Sequence, residues 1–187
     1  MTTSSGQTYL AIPGPSVIPE EVLRSMHRSA PNIYEGELIE ITKSLIPDLN
    51  YVARSSGNVA IYIANGHGIW EAALSNIATA NDHILVVATG RFAHGWAEMA
   101  RKLGIKVDVV DFGKNRALDI EVLAKKLKSE PKTKYKAILM THVDTSTSVK
   151  NDIFNVRKKL DEINCSALLA VDCIASLACD KFEMDEW

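Results

Sequence analysis

Ile61-Tyr62-Ile63-Ala64-Asn65-Gly66-His67-Gly68-Ile69-Trp70-Glu71-Ala72-Ala73-Leu74 is the stretch that decides how the chain is read. A short β-prone run breaks at two glycines, and a helical pattern begins at once. Gly66 and Gly68 allow a tight turn and let a ligand approach the backbone. The first N–H groups of the following helix have no partner within it. An anion, most often a phosphate, suits such a turn. The competing reading is an ordinary strand-to-helix connection, since glycine turns are common in α/β proteins. Two better-known phosphate patterns fail. A Gly-x-Gly-x-x-Gly dinucleotide turn needs a small residue where Glu71 stands, and an acid about 20 residues on, where the chain has Ile84-Leu85-Val86-Val87-Ala88. No Gly-Lys-Ser/Thr follows, so the Walker pattern is also absent.

Length and composition narrow the field. A chain of 187 residues can bury a full core as one domain. Its 47% hydrophobic and 24% charged residues are those of a soluble globular protein. A net charge of −2 offers no basic face, so no nucleic-acid partner is expected. No apolar run approaches the about 18 residues of a membrane-spanning helix, so no membrane partner is expected either. Met1-Thr2-Thr3-Ser4-Ser5-Gly6 lacks the basic-then-apolar pattern of a signal peptide. Cys165, Cys173 and Cys179 are odd in number and lie in or beside apolar stretches, which reads as reduced thiols in a cytoplasmic protein. With no Cys-x-x-Cys and five scattered histidines, no metal site is expected.

In chain order, residues 1–18 read as an extended N-terminal segment with a rigid bend at Pro13-Gly14-Pro15. Helices are expected from Pro19 to Arg28 and from Gly36 to Leu49, the second with Leu38, Ile41, Leu45 and Leu49 on one face. A strand is expected at Val59–Ile63. Beyond the glycine turn, apolar runs alternate with amphipathic helices. Ile84–Ala88 reads as a strand buried on both faces, followed by a helix over Phe92–Leu103 that Gly104 ends. A strand at Val107–Phe112 precedes a helix that opens at Leu118-Asp119, with Asp119 as cap, and runs to Lys128. A strand at Ala137–Met140, a helix at Asp152–Ile163 capped by Asp152, and a buried strand at Ala167–Val171 complete the pattern. This order predicts an α/β fold, a mostly parallel sheet covered by helices. Ligands in such sheets sit outside the carboxyl ends of the strands.

Those ends carry the chemistry. Asn65-Gly66-His67-Gly68 follows the first strand, Thr89-Gly90-Arg91-Phe92 the second, Thr141-His142-Val143-Asp144-Thr145-Ser146-Thr147-Ser148 a third, and Asp172-Cys173-Ile174-Ala175-Ser176 the last. One sheet edge thus gathers a phosphate cradle, an aromatic ring, hydroxyls and a carboxylate, the set that pyridoxal 5′-phosphate asks for. Its phosphate takes helix N–H groups, its ring a stacking partner, its phenolic oxygen a donor such as Thr145, and its ring nitrogen a carboxylate that keeps it protonated. Taken singly, each residue has a plainer reading. Asp172 can be a helix cap, Phe92 a core residue, Thr145–Ser148 a loop capping the next helix, His67 a surface residue and His142 a hydrogen-bonded loop histidine.

At these residues the chain resembles the class V group of fold-type I pyridoxal-phosphate enzymes, and most closely the serine–glyoxylate and alanine–glyoxylate (serine–pyruvate) aminotransferases. The most specific matches are Gly66–Leu74, Thr141–Ser148 and Val171-Asp172-Cys173-Ile174-Ala175-Ser176. The resemblance implies that Gly66, His67 and Gly68 form the phosphate turn and that Phe92 stacks on the cofactor ring. It likewise implies that Thr145 meets the ring oxygen, Asp172 acts catalytically as partner of the pyridine nitrogen, and Ile174 covers the other ring face. Ser148 stands where the family usually has glycine, and Asn65 where serine is usual. The family's Schiff-base lysine lies in a Gln-Lys pair beyond the Asp-x-Ile-Ala-Ser motif. No such pair follows here, and Lys150 and Lys181 read as solvated surface residues. The expectation is therefore the N-terminal portion of such an enzyme, its large cofactor domain incomplete over 19–187 and its small C-terminal domain absent. On this reading the portion alone is inactive. The parent would pass an amino group from serine or alanine to glyoxylate or pyruvate, as a cytoplasmic homodimer. Another class V activity (a lyase, a desulfurase or an aminoethylphosphonate transaminase) and a non-catalytic binding module are the alternatives.

Overall fold

The computed structural model describes residues 10–187. The described residues fall into two compact units, one ending at Leu45 and the other spanning Ile46–Trp187. The expected extended segment 1–18 lies outside the described residues up to residue 9, and residues 10–18 form neither helix nor strand. Helix α1 (Glu20–Met26) is shorter at both ends than the sequence implies, and α2 (Glu37–Ala53) runs past its expected end, through Pro47. Of the four residues that periodicity puts on one face of α2, Leu45 and Leu49 stay exposed and Leu38 and Ile41 are only half-buried.

The second unit contains the core. Four parallel strands, β1 (His83–Ala88), β2 (Lys106–Asp111), β3 (Ala137–Thr141) and β6 (Leu168–Asp172), lie in the order β2-β1-β3-β6. A two-stranded antiparallel hairpin, β4 (Val143–Asp144) with β5 (Val149–Lys150), follows β3 directly. Side chains alternate across the sheet with the strand period of two. Ile84, Val86, Ala88 and Leu139 enter one core layer, closed by α3 (Gly66–Ile77) and α4 (Arg91–Lys102). Leu85, Val87, Ile138 and Met140 enter the other, closed by α5 (Ile120–Lys128) and α6 (Ile153–Glu162). The expected parallel sheet covered by helices is therefore present. Asp119 and Asp152 cap α5 and α6 as the sequence indicates, accepting from Glu121 and Val122 N–H and from Asn155 N–H.

Two strand expectations need correction. Val59–Ile63 is not a strand, although its composition is β-prone: no described strand pairs with it, and Ile61, Tyr62 and Ile63 stand exposed. The last strand spans Leu168–Asp172, and its residues are exposed or half-buried instead of buried on both faces. Its position explains this, because among the described residues it has β3 on one side and no strand on the other. The expected burial of β1 does hold, with Ile84 to Ala88 all at 0% exposure between β2 and β3.

Candidate active site

Strand order changes direction at β1, which is followed outward by β2 on one side and by β3 on the other. A crevice at the carboxyl ends is expected at such a point. The residues gathered there come from α3, α4, the β4–β5 hairpin and the end of β6.

Helix α3 opens with Asn65 as its cap, whose side-chain oxygen accepts from Gly68 N–H at 3.1 Å. Asparagine thus fills the capping role at the position where serine is usual. Among the described residues, the N–H groups of Gly66 and His67 have no protein acceptor, which leaves two donors for an anion. The two glycines serve different ends. Gly66 faces open space, whereas a Cβ on Gly68 would lie 2.7 Å from the Ala64 Cβ. Open approach for a ligand therefore exists at Gly66, while Gly68 is required by close packing within the turn.

Helix α4 begins at Gly90-Arg91-Phe92 without a side-chain cap of its own. The hairpin supplies one. Asp144 is fully buried, and its Oδ2 accepts from Phe92 N–H at 3.0 Å and Ala93 N–H at 3.3 Å. Its Oδ1 accepts from Ser146 N–H at 3.0 Å and Ser146 Oγ–H at 2.6 Å, and Ser146 Oγ accepts from Arg91 N–H at 2.9 Å. Thr147 Oγ1–H donates to the Thr89 carbonyl at 3.0 Å. Ser146 of the hydroxyl run, together with Asp144, thus caps α4 from across the sheet edge, not the next helix in the chain. Thr145 is half-buried on this hairpin. Ser148 has φ +58°, in the left-handed region that glycine adopts most easily, so the backbone itself accounts for glycine being usual at this position.

Between α3 and α4 lies an aromatic group. Trp70, 4% exposed, stacks on Trp96 with ring centroids 5.8 Å apart and 13° between planes. His67 meets the Trp70 ring edge-on at 4.6 Å, and Phe92 meets it at 6.3 Å. His67 and Phe92 are 6.5 Å apart. Phe92 is thus both a half-buried flank of the core and a member of this group.

Asp172 ends β6, level with Thr141 of β3. Its Oδ2 accepts from the Trp70 indole N–H at 2.9 Å and its Oδ1 from Ile174 N–H at 2.9 Å. No helix follows it, so it is not a helix cap. Asp172 and Ile174 line a cleft of about 520 Å³ together with Gly66, Ile69, Trp70 and Leu177. Ile174 stands 75% exposed beside it. Burial, and then the neighbouring Asp172 charge, push the Cys173 thiol up to about 12, so it stays protonated at neutral pH. His142 is buried with its Nδ1 unpartnered, which departs from the hydrogen-bonded loop histidine of the plainer reading. It lies against Phe182 and Trp187, where burial lowers its pKa.

The structure thus brings Gly66, Asp172 and Ile174 to one cleft and ties His67 and Phe92 to it through Trp70. Thr145 is set on the hairpin fastened to the β1–α4 turn. Sequence reading missed Trp70, Asp144 and Gly90. A tryptophan one turn into a helix was a usable signal, since a buried indole N–H requires an acceptor. Asp144 gave none, because a burial this complete depends on the hairpin folding back over α4.

Residues 51–187 match the Aminotransferase class-V family. The chain belongs to that family. Serine–glyoxylate aminotransferases from Arabidopsis thaliana and Methylorubrum extorquens are 36% and 34% identical over 97% and 100% of this chain. The L-aspartate–glyoxylate aminotransferase of Paracoccus denitrificans is 30% identical over 98% of it. The chain spans about half the length of these curated relatives, 46% in each case. Among solved structures, ureidoglycine–glyoxylate aminotransferase from Bacillus subtilis superposes with TM-score 0.85 at 24% identity, over 98% of this chain and 47% of its own. Alanine–glyoxylate aminotransferase from Nostoc does so with TM-score 0.86 at 21% identity, over 100% and 49%. These likenesses establish the fold, that of the large domain of fold-type I enzymes. Pyridoxal 5′-phosphate is the cofactor of this class V family.

The residues present fit that cofactor. Two unpartnered helix N–H groups stand in front of open space at Gly66, an aromatic group lies beside them, and an oriented carboxylate borders the same cleft. No helix among the described residues is long and apolar enough to cross a membrane.

Proposed function

We propose that the protein serves pyridoxal-phosphate-dependent transamination between a small amino acid, serine or alanine, and a 2-oxo acid, glyoxylate or pyruvate. The observation that carries this reading is Asp172, a carboxylate fixed at the carboxyl edge of the sheet by Trp70, on the cleft that Gly66 opens. The serine–glyoxylate relatives support the choice of substrates.

Each residue has a task in this reading. Gly66 and His67 N–H groups, at the positive end of α3, bind the phosphate, and Gly68 keeps the turn tight. Phe92 and Ile174 bracket the ring, and the Thr145 hydroxyl donates to its phenolic oxygen. Asp172 accepts a hydrogen bond from the protonated ring nitrogen, an interaction of roughly 1.5–3 kcal/mol. When bound, the cofactor supplies an electron sink for charge that develops on the amino acid. Asp172 makes that sink effective by holding the proton on the nitrogen.

Lys150 pairs with Asp180 at 2.6 Å and Lys181 lies 3.6 Å from Glu183, so neither is turned to the cleft. We accordingly place the Schiff-base lysine outside these 187 residues and expect no turnover from them alone. The working enzyme in this reading is a cytoplasmic homodimer.

The test is cofactor binding by Asp172→Asn. Loss of the charge should weaken pyridoxal 5′-phosphate by roughly tenfold or more, the equivalent of one charge-assisted hydrogen bond. It should also lower the pH at which the bound ring nitrogen titrates. An unchanged titration would remove Asp172 from the site.

A further inference from the structure

Trp70 is the residue on this edge to which neither the motifs nor the comparisons assign a task. Its indole N–H has one acceptor, Asp172 Oδ2 at 2.9 Å. Its ring has almost no freedom to aim elsewhere. Trp96 is stacked on one face, His67 and Phe92 meet it at 4.6 and 6.3 Å, and the residue is 4% exposed. The α4 backbone closes the remaining side, because a Cβ on Gly95 would sit 3.3 Å from Trp70 Cζ3. The N–H direction is therefore set by packing before any ligand arrives.

We propose that Trp70 is a positioning residue, one that sets the plane of the Asp172 carboxylate for the cofactor's ring nitrogen. This rests on the reading of Asp172 given above. Two donors, Trp70 Nε1 and Ile174 N, hold the two oxygens in different directions, so rotation of the carboxylate breaks at least one bond. Ile174 is exposed and belongs to a segment of turns, whereas Trp70 is fixed in the core. The rigid constraint on Asp172 thus comes from Trp70. Packing on α3 and α4 is in this way converted into the orientation of a charge at the sheet edge.

The experiment is a double-mutant cycle between Trp70→Phe and Asp172→Ala. It is read by the dissociation constant for pyridoxal 5′-phosphate and by the pH at which the bound cofactor's ring nitrogen titrates in its absorbance. Trp70→Phe keeps an aromatic ring and deletes only the donor. It should weaken binding by about tenfold and lower the titration by about one pH unit, the two being the same free energy. In the Asp172→Ala background the same change should leave both readouts within about twofold, since coupled residues do not add. Gly95→Ala, which moves the indole without removing it, should shift both readouts in the same direction by less. It also keeps the test available if Trp70→Phe fails to fold. Equal effects of Trp70→Phe with and without Asp172 would overturn the positioning role while leaving Asp172 in place. No effect of Asp172→Ala on either readout would instead overturn the reading of the site itself.

Discussion

Replacing Asp144 and Gly90, singly and together, tests whether the hairpin holds the start of α4. Asp144 is fully buried and receives two N–H bonds from α4 and two bonds from Ser146. Asp144→Ala strands the Phe92 and Ala93 N–H groups. One bond to a charged acceptor contributes about 1.5–3 kcal/mol, and an N-cap is worth about 1 kcal/mol, so the loss should be about 3 kcal/mol after the relief of a buried charge. Gly90→Ala attacks the same contact from the other side. Its Cβ would fall 2.3 Å from Asp144 Cγ and 2.4 Å from Oδ1, so the carboxylate must leave and its bonds break. That variant should also cost about 3 kcal/mol, by the same bonds. With Asp144 already replaced by alanine, the obstructing atoms are gone, and Gly90→Ala should then cost under about 1 kcal/mol. Urea midpoints with unchanged slopes give the four stabilities. The expected coupling of about 2 kcal/mol is large for a neighbouring pair. Costs that add within about 0.5 kcal/mol would refute the contact as the reason for glycine at position 90.

Ser148→Gly removes a side chain from a φ of +58° and should stabilise the protein by about 0.5 kcal/mol in thermal or urea unfolding, the strain released exceeding the entropy that glycine loses. Asn65→Ala deletes the α3 cap and should cost about 1 kcal/mol in the same assays. His142 is held neutral by burial, its pKa below the ordinary 6.5. Its contribution is full above the unfolded value and is lost as pH falls through the lower folded one. Stability measured from pH 7 to 5 should therefore fall less steeply in His142→Gln than in the parent. Asp108 is held down to about 2 by hydrogen bonds from Lys134 and Tyr135. Its contribution is present above pH ~4 and disappears toward pH 2, a slope that Asp108→Asn should abolish in acid unfolding.

The elements legible in the sequence were those whose signals are local. The run Ile84–Ala88 has a composition that only a doubly covered strand tolerates, and Asp119 and Asp152 sit one residue before the helices they cap. Gly66 and Asp172 were legible as candidate site residues because each stands at the end of an apolar or β-prone run. The failures were non-local. Val59–Ile63 has a strand's composition, but a strand is a pairing, and the described residues offer it none. The Leu168–Asp172 strand has an interior composition and an edge position. Asp144 lay inside a quoted motif, yet its task depends on Gly90, 54 positions earlier in the numbering, coming within contact of it.

These non-local contacts connect into one path. Asp144 fixes the first turn of α4, and α4 presents Phe92 and Trp96 to Trp70. Trp70 in turn fixes Asp172. The motif around Asp144 and the motif around Asp172 already adjoin at the sheet edge, where His142 N–H donates to the Asp172 carbonyl at 2.8 Å, and this packing couples their two carboxylates by a second route. A change at Gly90 should accordingly reach Asp172 through α4 and the indole. If it does, Gly90→Ala will weaken pyridoxal 5′-phosphate binding even under conditions where the protein is fully folded, and the effect will vanish once Trp70 is replaced by phenylalanine. If the loss persists in Trp70→Phe, Gly90 acts on the cofactor by a route other than this path.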